Sequence, residues 1–228
     1  MSRERLIAEV AARVPETGGS VRVAVDGVDG VGKTTFAAEL AGALRSLGRP
    51  VVQVSADGFH QVRAVRHRRG AKSPEGFWLD SYDHPALIAN VLAPFGPGGS
   101  RRYRSAVHDV RTDEVLDLPW STAPAGTVLV LDGLFLHRDE LAGYWDFSIF
   151  LTAPFAVTAA RMARRDGTNP DPEHPDLARY VQGQRLYFAA CRPWTRADLM
   201  IDNSDVHRPA PAAVRGSCKE VAWVFRRG

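Results

Sequence analysis

The sequence predicts an α/β domain with a central parallel β-sheet and helices on its faces. Three observations carry this expectation. An apolar run at 21–25 leads through a glycine-rich turn into a helical pattern at 33–47. Two further short apolar runs, 51–56 and 127–131, each lead directly into an aspartate, Asp57 and Asp132. Strand patterns alternate with helical ones, which is the signature of βαβ units rather than of an all-β or all-α chain.

The turn after the first strand explains itself chemically. Gly27, Gly32, Lys33 and Thr34 have the spacing G-x-x-x-x-G-K-[ST]. That pattern between a strand and a helix is a phosphate-binding loop, or P-loop. Glycines allow positive φ and let backbone N–H groups converge on phosphate oxygens, and the helix N-terminus adds partial positive charge. Gly27, Asp29, Gly30, Gly32, Lys33, Thr34 and Thr35 are therefore the expected ATP-binding residues. Lys33 suits the β- and γ-phosphates, and the Thr34 hydroxyl suits Mg²⁺.

The bulk composition sets limits. The 228 residues are enough for one α/β domain spanning 1–228 with a large core and a lid. A net charge of +3, with arginines spread along the chain, argues against nucleic acid as the partner. Cys191 and Cys218 have no metal-site spacing, although a single disulfide between them stays open. No apolar run approaches the roughly 18 residues of a membrane span, and the charged N-terminus lacks a signal-peptide core. The expectation is a cytoplasmic protein with no membrane partner; a homo-oligomer stays open.

Taken in order, residues 3–14 carry apolar side chains at helical spacing. Strand two, 51–56, ends at Asp57. Ligands of open parallel sheets bind beyond the carboxyl ends of strands, so Asp57 can accept a substrate proton, contact Mg²⁺, or simply make a turn before Gly58. The stretch 61–75, with Arg63, Arg66, Arg68, Arg69 and Lys72, reads as a solvated basic loop. Residues 76–85 interleave Phe77, Trp78 and Tyr82 with Asp80 and Asp83, which suits a ring-plus-ribose ligand or a core turn. A helix follows over 86–95, and 101–111 predicts a short β-hairpin region over the site. Strand 127–131 delivers Asp132 before Gly133, an arrangement that holds Mg²⁺ in P-loop enzymes or else caps a turn. A short helix at 138–144, a strand at 146–151 and a helix at 154–165 come next. Arg161, Arg164 and Arg165 at the end of that helix suit a lid over phosphate, because arginine stays charged and binds phosphate bidentately. The lid region covers about 161–175. A helix at 176–191 bears Tyr180, Gln184 and Tyr187, and the last strand is 197–203.

The order of these motifs resembles the uridine–cytidine kinases of the phosphoribulokinase/uridine kinase superfamily. The resemblance runs over residues 20–209 and is most specific in the P-loop, in Asp57 to His60, and in Asp132-Gly133. It implies a P-loop kinase fold with a small lid and a β-hairpin over the substrate side, about 57–111. It implies ATP and Mg²⁺ as cofactors and a small-molecule acceptor, a nucleoside above all. By the same resemblance Asp57 is the catalytic base, with Lys33, Arg161 and Arg165 also catalytic. Asp57, Phe59, His60, Asp83, Tyr103, His108, Arg164 and Gln184 are the substrate-side residues, and Thr34 and Asp132 the metal residues. Phosphoribulokinase, pantothenate kinase and nicotinamide riboside kinase look similar in the same motifs, so another acceptor stays open. A regulatory NTP-binding protein is the reading from another class, although no Asn-Lys-x-Asp base-reading segment of a GTPase is present. His60 in place of an aromatic, Gly58, and the arginines of 63–72 depart from the pyrimidine kinases.

Overall fold

The computed structural model describes residues 2–212. Cys218, and the expectation of a helix or strand after Pro211, fall on residues beyond 212 and lie outside the described part.

The chain opens with helix α1 (Arg3–Ala11), capped by the Ser2 hydroxyl, and strand β1 (Val21–Gly27). Helix α2 (Lys33–Ser46) starts after Gly32, whose φ of 98° places it in the left-handed region that favours glycine. Strand β2 (Val51–Ser55) runs into a single 3-10 turn, Ala56–Phe59. Three short helices follow: α3 (Arg63–Arg66), α4 (Pro74–Asp80) and α5 (His84–Leu87), the last continuing into a π-helical turn at Ile88–Leu92. Four two-residue strands come next, β3 (Arg102–Tyr103), β4 (His108–Asp109), β5 (Glu114–Val115) and β6 (Ser121–Thr122). The second half contains β7 (Val128–Asp132), α6 (Asp139–Ala142), β8 (Phe147–Thr152), α7 (Phe155–Asp166), α8 (Ala178–Cys191), α9 (Pro193–Arg196), β9 (Leu199–Asp202) and β10 (Ala210–Pro211).

Six strands form one sheet in the order β10-β9-β8-β1-β7-β2, parallel except for β10. Side chains alternate between its faces with period two. Val23, Val25, Val128, Val130, Ile149 and Leu151 pack with α1 and α2 on one side. Ala24, Leu129, Leu131 and Phe150 pack on the other, with Phe59, Phe77, Phe95, Phe135 and Tyr187. Burial on both faces explains why these strands read as apolar runs rather than alternating ones. β1 carries two buried charged residues, Arg22 and Asp26. The Arg22 charge is met by Asp146, which accepts from Arg22 Nε and Nη2 at 3.0 Å each.

Three expectations need correction. Residues 76–85 are not a turn throughout. Ser73 caps a helix by accepting from Gly76 N at 3.0 Å, and Pro74 occupies the first helical position, where its missing N–H costs nothing. The basic stretch 61–75 contains α3 and is not only a loop. The helix expected over 86–95 begins at His84 and gives way to a π-helical turn. The hairpin expected at 101–111 is present as two small ladders, β3 with β6 and β4 with β5. No helix among the described residues is long and apolar enough to cross a membrane.

Candidate active site

Parallel pairing brings three strand ends together. Asp132 is in register with Val25 of β1 and with Ser55 of β2, so the P-loop, the Asp57 turn and Asp132 share one edge of the sheet. The cleft above that edge has a volume of about 320 Å³. From the P-loop it is lined by Asp29, Gly30 and Gly32 to Thr35, with Asp132 to Leu134 at the floor. Asp57, His60, Phe77, Tyr82, Val110, Arg165 and Tyr180 form the rest of its wall.

Glycine is demanded by space at the start of the loop. A Cβ on Gly27, at φ 155°, would lie 2.3 Å from Leu151 O. Lys33 Nζ folds back onto the loop, donating to Gly27 O at 3.3 Å and Val28 O at 3.1 Å. These two carbonyls hold the ammonium over the turn, where an anionic ligand of higher charge can draw it away.

The metal question turns on Asp132. The Thr34 hydroxyl donates to Asp132 Oδ2 at 2.7 Å, and the Ser55 hydroxyl lies 3.4 Å from the same oxygen. Oδ1 is buried without a hydrogen-bond partner. Burial pushes the Asp132 carboxyl above the ordinary range and the charge of Asp57 adds to this, against the pull of the Thr34 hydroxyl. A buried carboxylate oxygen with no donor is costly unless something positive meets it. The pair Thr34 and Asp132 therefore fits a hard cation. Among the described residues there is no cluster of three or more His, Cys, Asp or Glu side chains suited to a metal. Mg²⁺ is commonly held by one or two protein groups and completed by phosphate and water.

Asp57 is exposed to the cleft from the 3-10 turn, whose start is capped by the Ser55 hydroxyl accepting from Asp57 N at 3.3 Å. The Tyr82 hydroxyl donates to Asp57 Oδ1 at 3.2 Å. Burial first, then the charge of Asp57, pushes the Tyr82 phenol well above its usual range, so it remains a proton donor. His60 packs on Tyr82 with ring centroids 4.4 Å apart, and its Nδ1 lies 2.9 Å from Asp57 O. Burial is the main cause that lowers the His60 pKa, which keeps the ring neutral near pH 7.

A roof closes this side. Val107 N donates to Gly58 O at 2.8 Å, and a Cβ on Gly58 would lie 2.7 Å from Ala106 Cβ. The β4–β5 hairpin is pinned to α3 by one carboxylate. Asp113, at φ 66°, accepts from Arg63 N at 2.7 Å and Arg66 Nη2 at 3.3 Å, and lies 3.2 Å from His108 Nε2.

The expected substrate-side residues thus separate into two groups. His60 and Asp57 line the cleft. Phe59 is fully buried in the core and does not face it. Asp83 caps α5, accepting from Ala86 N at 2.9 Å. Tyr103 packs against Phe95, and His108 is buried beside Asp113. Gln184 is buried against the P-loop, where its Oε1 accepts from Asp29 N at 2.7 Å. The lid arginines divide similarly. Arg165 lines the cleft, although Asp166 pairs with it at 2.7 Å. Arg164 is exposed and outside the cleft lining. Arg161 donates to Asn203 O at 3.0 Å and Ser204 O at 2.7 Å, and Asn203 Nδ2 donates to Val31 O at 2.7 Å. Arg161 thereby braces the loop after β9 against the P-loop.

The sequence reading missed Tyr82 as the partner of Asp57 and Phe77 and Tyr180 as cleft walls, though all three stand in stretches it singled out. It also missed Asp26, whose position before Gly27 within the strand carries no local signal of its contacts.

The sequence profile of the Phosphoribulokinase / Uridine kinase family matches residues 22–170. Solved structures with the same fold include a possible uridine kinase from Bacillus stearothermophilus, 21% identical, TM-score 0.68, covering 87% of this chain and 96% of that one. A protein described as a candidate fructose transport system kinase from Silicibacter sp. TM1040 is 26% identical, with TM-score 0.62 and coverage of 84% and 96%. D-glycerate 3-kinase from Cryptococcus neoformans is 11% identical, with TM-score 0.53 and coverage of 92% and 97%. No curated protein sequence matches the chain.

Proposed function

Because this chain belongs to the phosphoribulokinase/uridine kinase family, and so is a kinase, we propose that it transfers the γ-phosphoryl group of ATP to the 5′-hydroxyl of uridine or cytidine. The observation that carries the acceptor class is the makeup of the cleft beside Asp57. Its wall is aromatic, from Phe77, Tyr82 and Tyr180, and its lining cations are Lys33, on the P-loop, and Arg165, on α7. Several nearby arginines are engaged elsewhere. Arg68 and Arg69 pair with Asp80, Arg66 with Asp113, Arg138 with Glu140, and Arg179 donates to Ala71 O. A carboxylate or phosphate on the acceptor would need a cation there, whereas a neutral alcohol with a flat ring does not.

The chemistry assigned to the residues follows from their places. Asp57 accepts the proton of the attacking hydroxyl as its oxygen bonds to the γ-phosphorus and the bond to the ADP oxygen breaks. The Tyr82 hydroxyl fixes which carboxylate oxygen faces the acceptor. Lys33 and the loop amides neutralise the phosphate charge, and Arg165 approaches it from α7. Thr34 and Asp132 would hold Mg²⁺, which would supply neutralisation of the charge developing on the phosphates.

A coupled ADP-release assay with Mg-ATP tests this against uridine, cytidine, nicotinamide riboside, pantothenate, glycerate and ribulose 5-phosphate. Stimulation by uridine or cytidine is expected. Stimulation by the anionic acceptors alone would show that the cleft reading is wrong.

A further inference from the structure

Helix α8 holds the P-loop at two points. Gln184 and Tyr187 are three residues apart and so lie on one helix face; both are at most 2% exposed. Gln184 Oε1 accepts from Asp29 N at 2.7 Å, and its orientation is set by Nε2 donating to Tyr180 O at 3.2 Å. The Tyr187 hydroxyl donates to Asp26 Oδ2 at 2.5 Å and accepts from His137 N at 3.1 Å. Asp26, fully buried, turns its other oxygen to Gly27 N at 2.7 Å, and His137 Nδ1 lies 2.8 Å from Oδ2. The two ties therefore grip both ends of the 26–29 turn, where the strand becomes the P-loop. The same helix also supports the acceptor wall. Tyr180 meets Phe77 edge-on at 5.0 Å, and a Cβ on Gly183 would lie 2.7 Å from Phe77 Cδ1.

We propose that Gln184 and Tyr187 are positioning residues that set the nucleotide-binding shape of the P-loop from α8. Neither side chain lines the cleft, so neither touches the reacting atoms. Each instead fixes a backbone amide of the loop through a buried acceptor. The assignment rests on nucleotide binding by the P-loop and is independent of which acceptor is phosphorylated.

The test uses Gln184→Met and Tyr187→Phe, which keep side-chain volume and delete the polar contact. MgADP is titrated calorimetrically into each full-length protein well below its melting temperature. The expected result is a Kd raised about tenfold in each, the equivalent of one lost hydrogen bond. A lower melting temperature with MgADP affinity within twofold of wild type overturns the proposal, because a purely structural role moves only the former. If neither variant folds, hydrogen exchange of wild-type residues 26–32 without nucleotide decides. Protection of the Gly27 and Asp29 amides is expected, and exchange within seconds overturns the proposal.

Discussion

The phosphate side and the acceptor side of the cleft are built in different ways. On the phosphate side Lys33, Thr34 and Asp132 sit at the end of a buried parallel strand or on α2, and the register of β1, β7 and β2 brings Asp132 beside Thr34 and Ser55. On the other side the walls come from short helices, from Tyr180 of α8 and from Val110 beside a two-residue ladder, held by contacts such as those of Arg63 N, the Arg66 guanidinium and His108 around Asp113. On the function proposed above, the chemistry is mounted on the sheet and selection of the acceptor on a shell of connections. Surface connections tolerate change far better than a packed sheet does, which accords with one fold serving kinases of differing acceptors.

The contrast can be broken most sharply at Lys33. Lys33→Ala is expected to lower kcat about 10³-fold or more by leaving phosphate charge uncompensated, read by steady-state ADP release; near-normal turnover would remove the phosphate assignment altogether. Asp57→Asn should lower kcat about 10²–10³-fold while calorimetric Mg-ATP affinity stays unchanged. An effect confined to KM would make Asp57 a binding group. Asp132→Asn is expected to raise the Mg²⁺ concentration for half-maximal rate at least about tenfold, and an unmoved Mg²⁺ curve would free Asp132 from the metal role. Tyr82→Phe, at the seam of the two sides, should reduce kcat about three- to tenfold, the scale of one ordinary hydrogen bond.

A last prediction concerns stability rather than turnover, on the acceptor side. His84, buried on α5 beside Arg138, is lowered to about 4 by burial first and by the Arg138 charge second. Its folded pKa lies below its ordinary value of 6.5, so the unfolded chain binds the proton more readily between those values. The contribution is complete above pH 6.5 and lost as pH falls toward 4, worth up to roughly 3 kcal/mol. Melting temperatures at pH 7 and pH 4.5 should therefore diverge, and His84→Gln should shrink the gap. An unchanged gap would place the acid sensitivity elsewhere.

The same division decided what could be read in advance. The P-loop is legible because its residues are neighbours in sequence, whereas Asp57 and Asp132 stay ambiguous locally, their partners Tyr82 and Thr34 lying far along the chain. Family membership and the parallel sheet follow from that local pattern and agree with the structure. Other contacts around the site depend on distant partners. Gln184 reaches Asp29 across 155 positions and Arg161 reaches Asn203 across 42, and no local spacing announces either. The aromatic stretch at 76–85 pointed to the right wall for an incomplete reason. Phe77 and Tyr82 line the cleft, but Asp80 pairs with Arg68 and Arg69, and Asp83 caps a helix. One local signal was overlooked, the Ser73-Pro74 pair that starts α4.

The close seat of the 105–107 segment on Gly58 ties the reactive end of the cleft to its selective end. A methyl group at position 58 has no room unless the segment moves, and the segment cannot move without changing what stands over Asp57. The steric fit between a bare position 58 and the segment seated on it means that changes to either must be made together, which couples the Asp57 turn to the hairpin in any redesign of this chain.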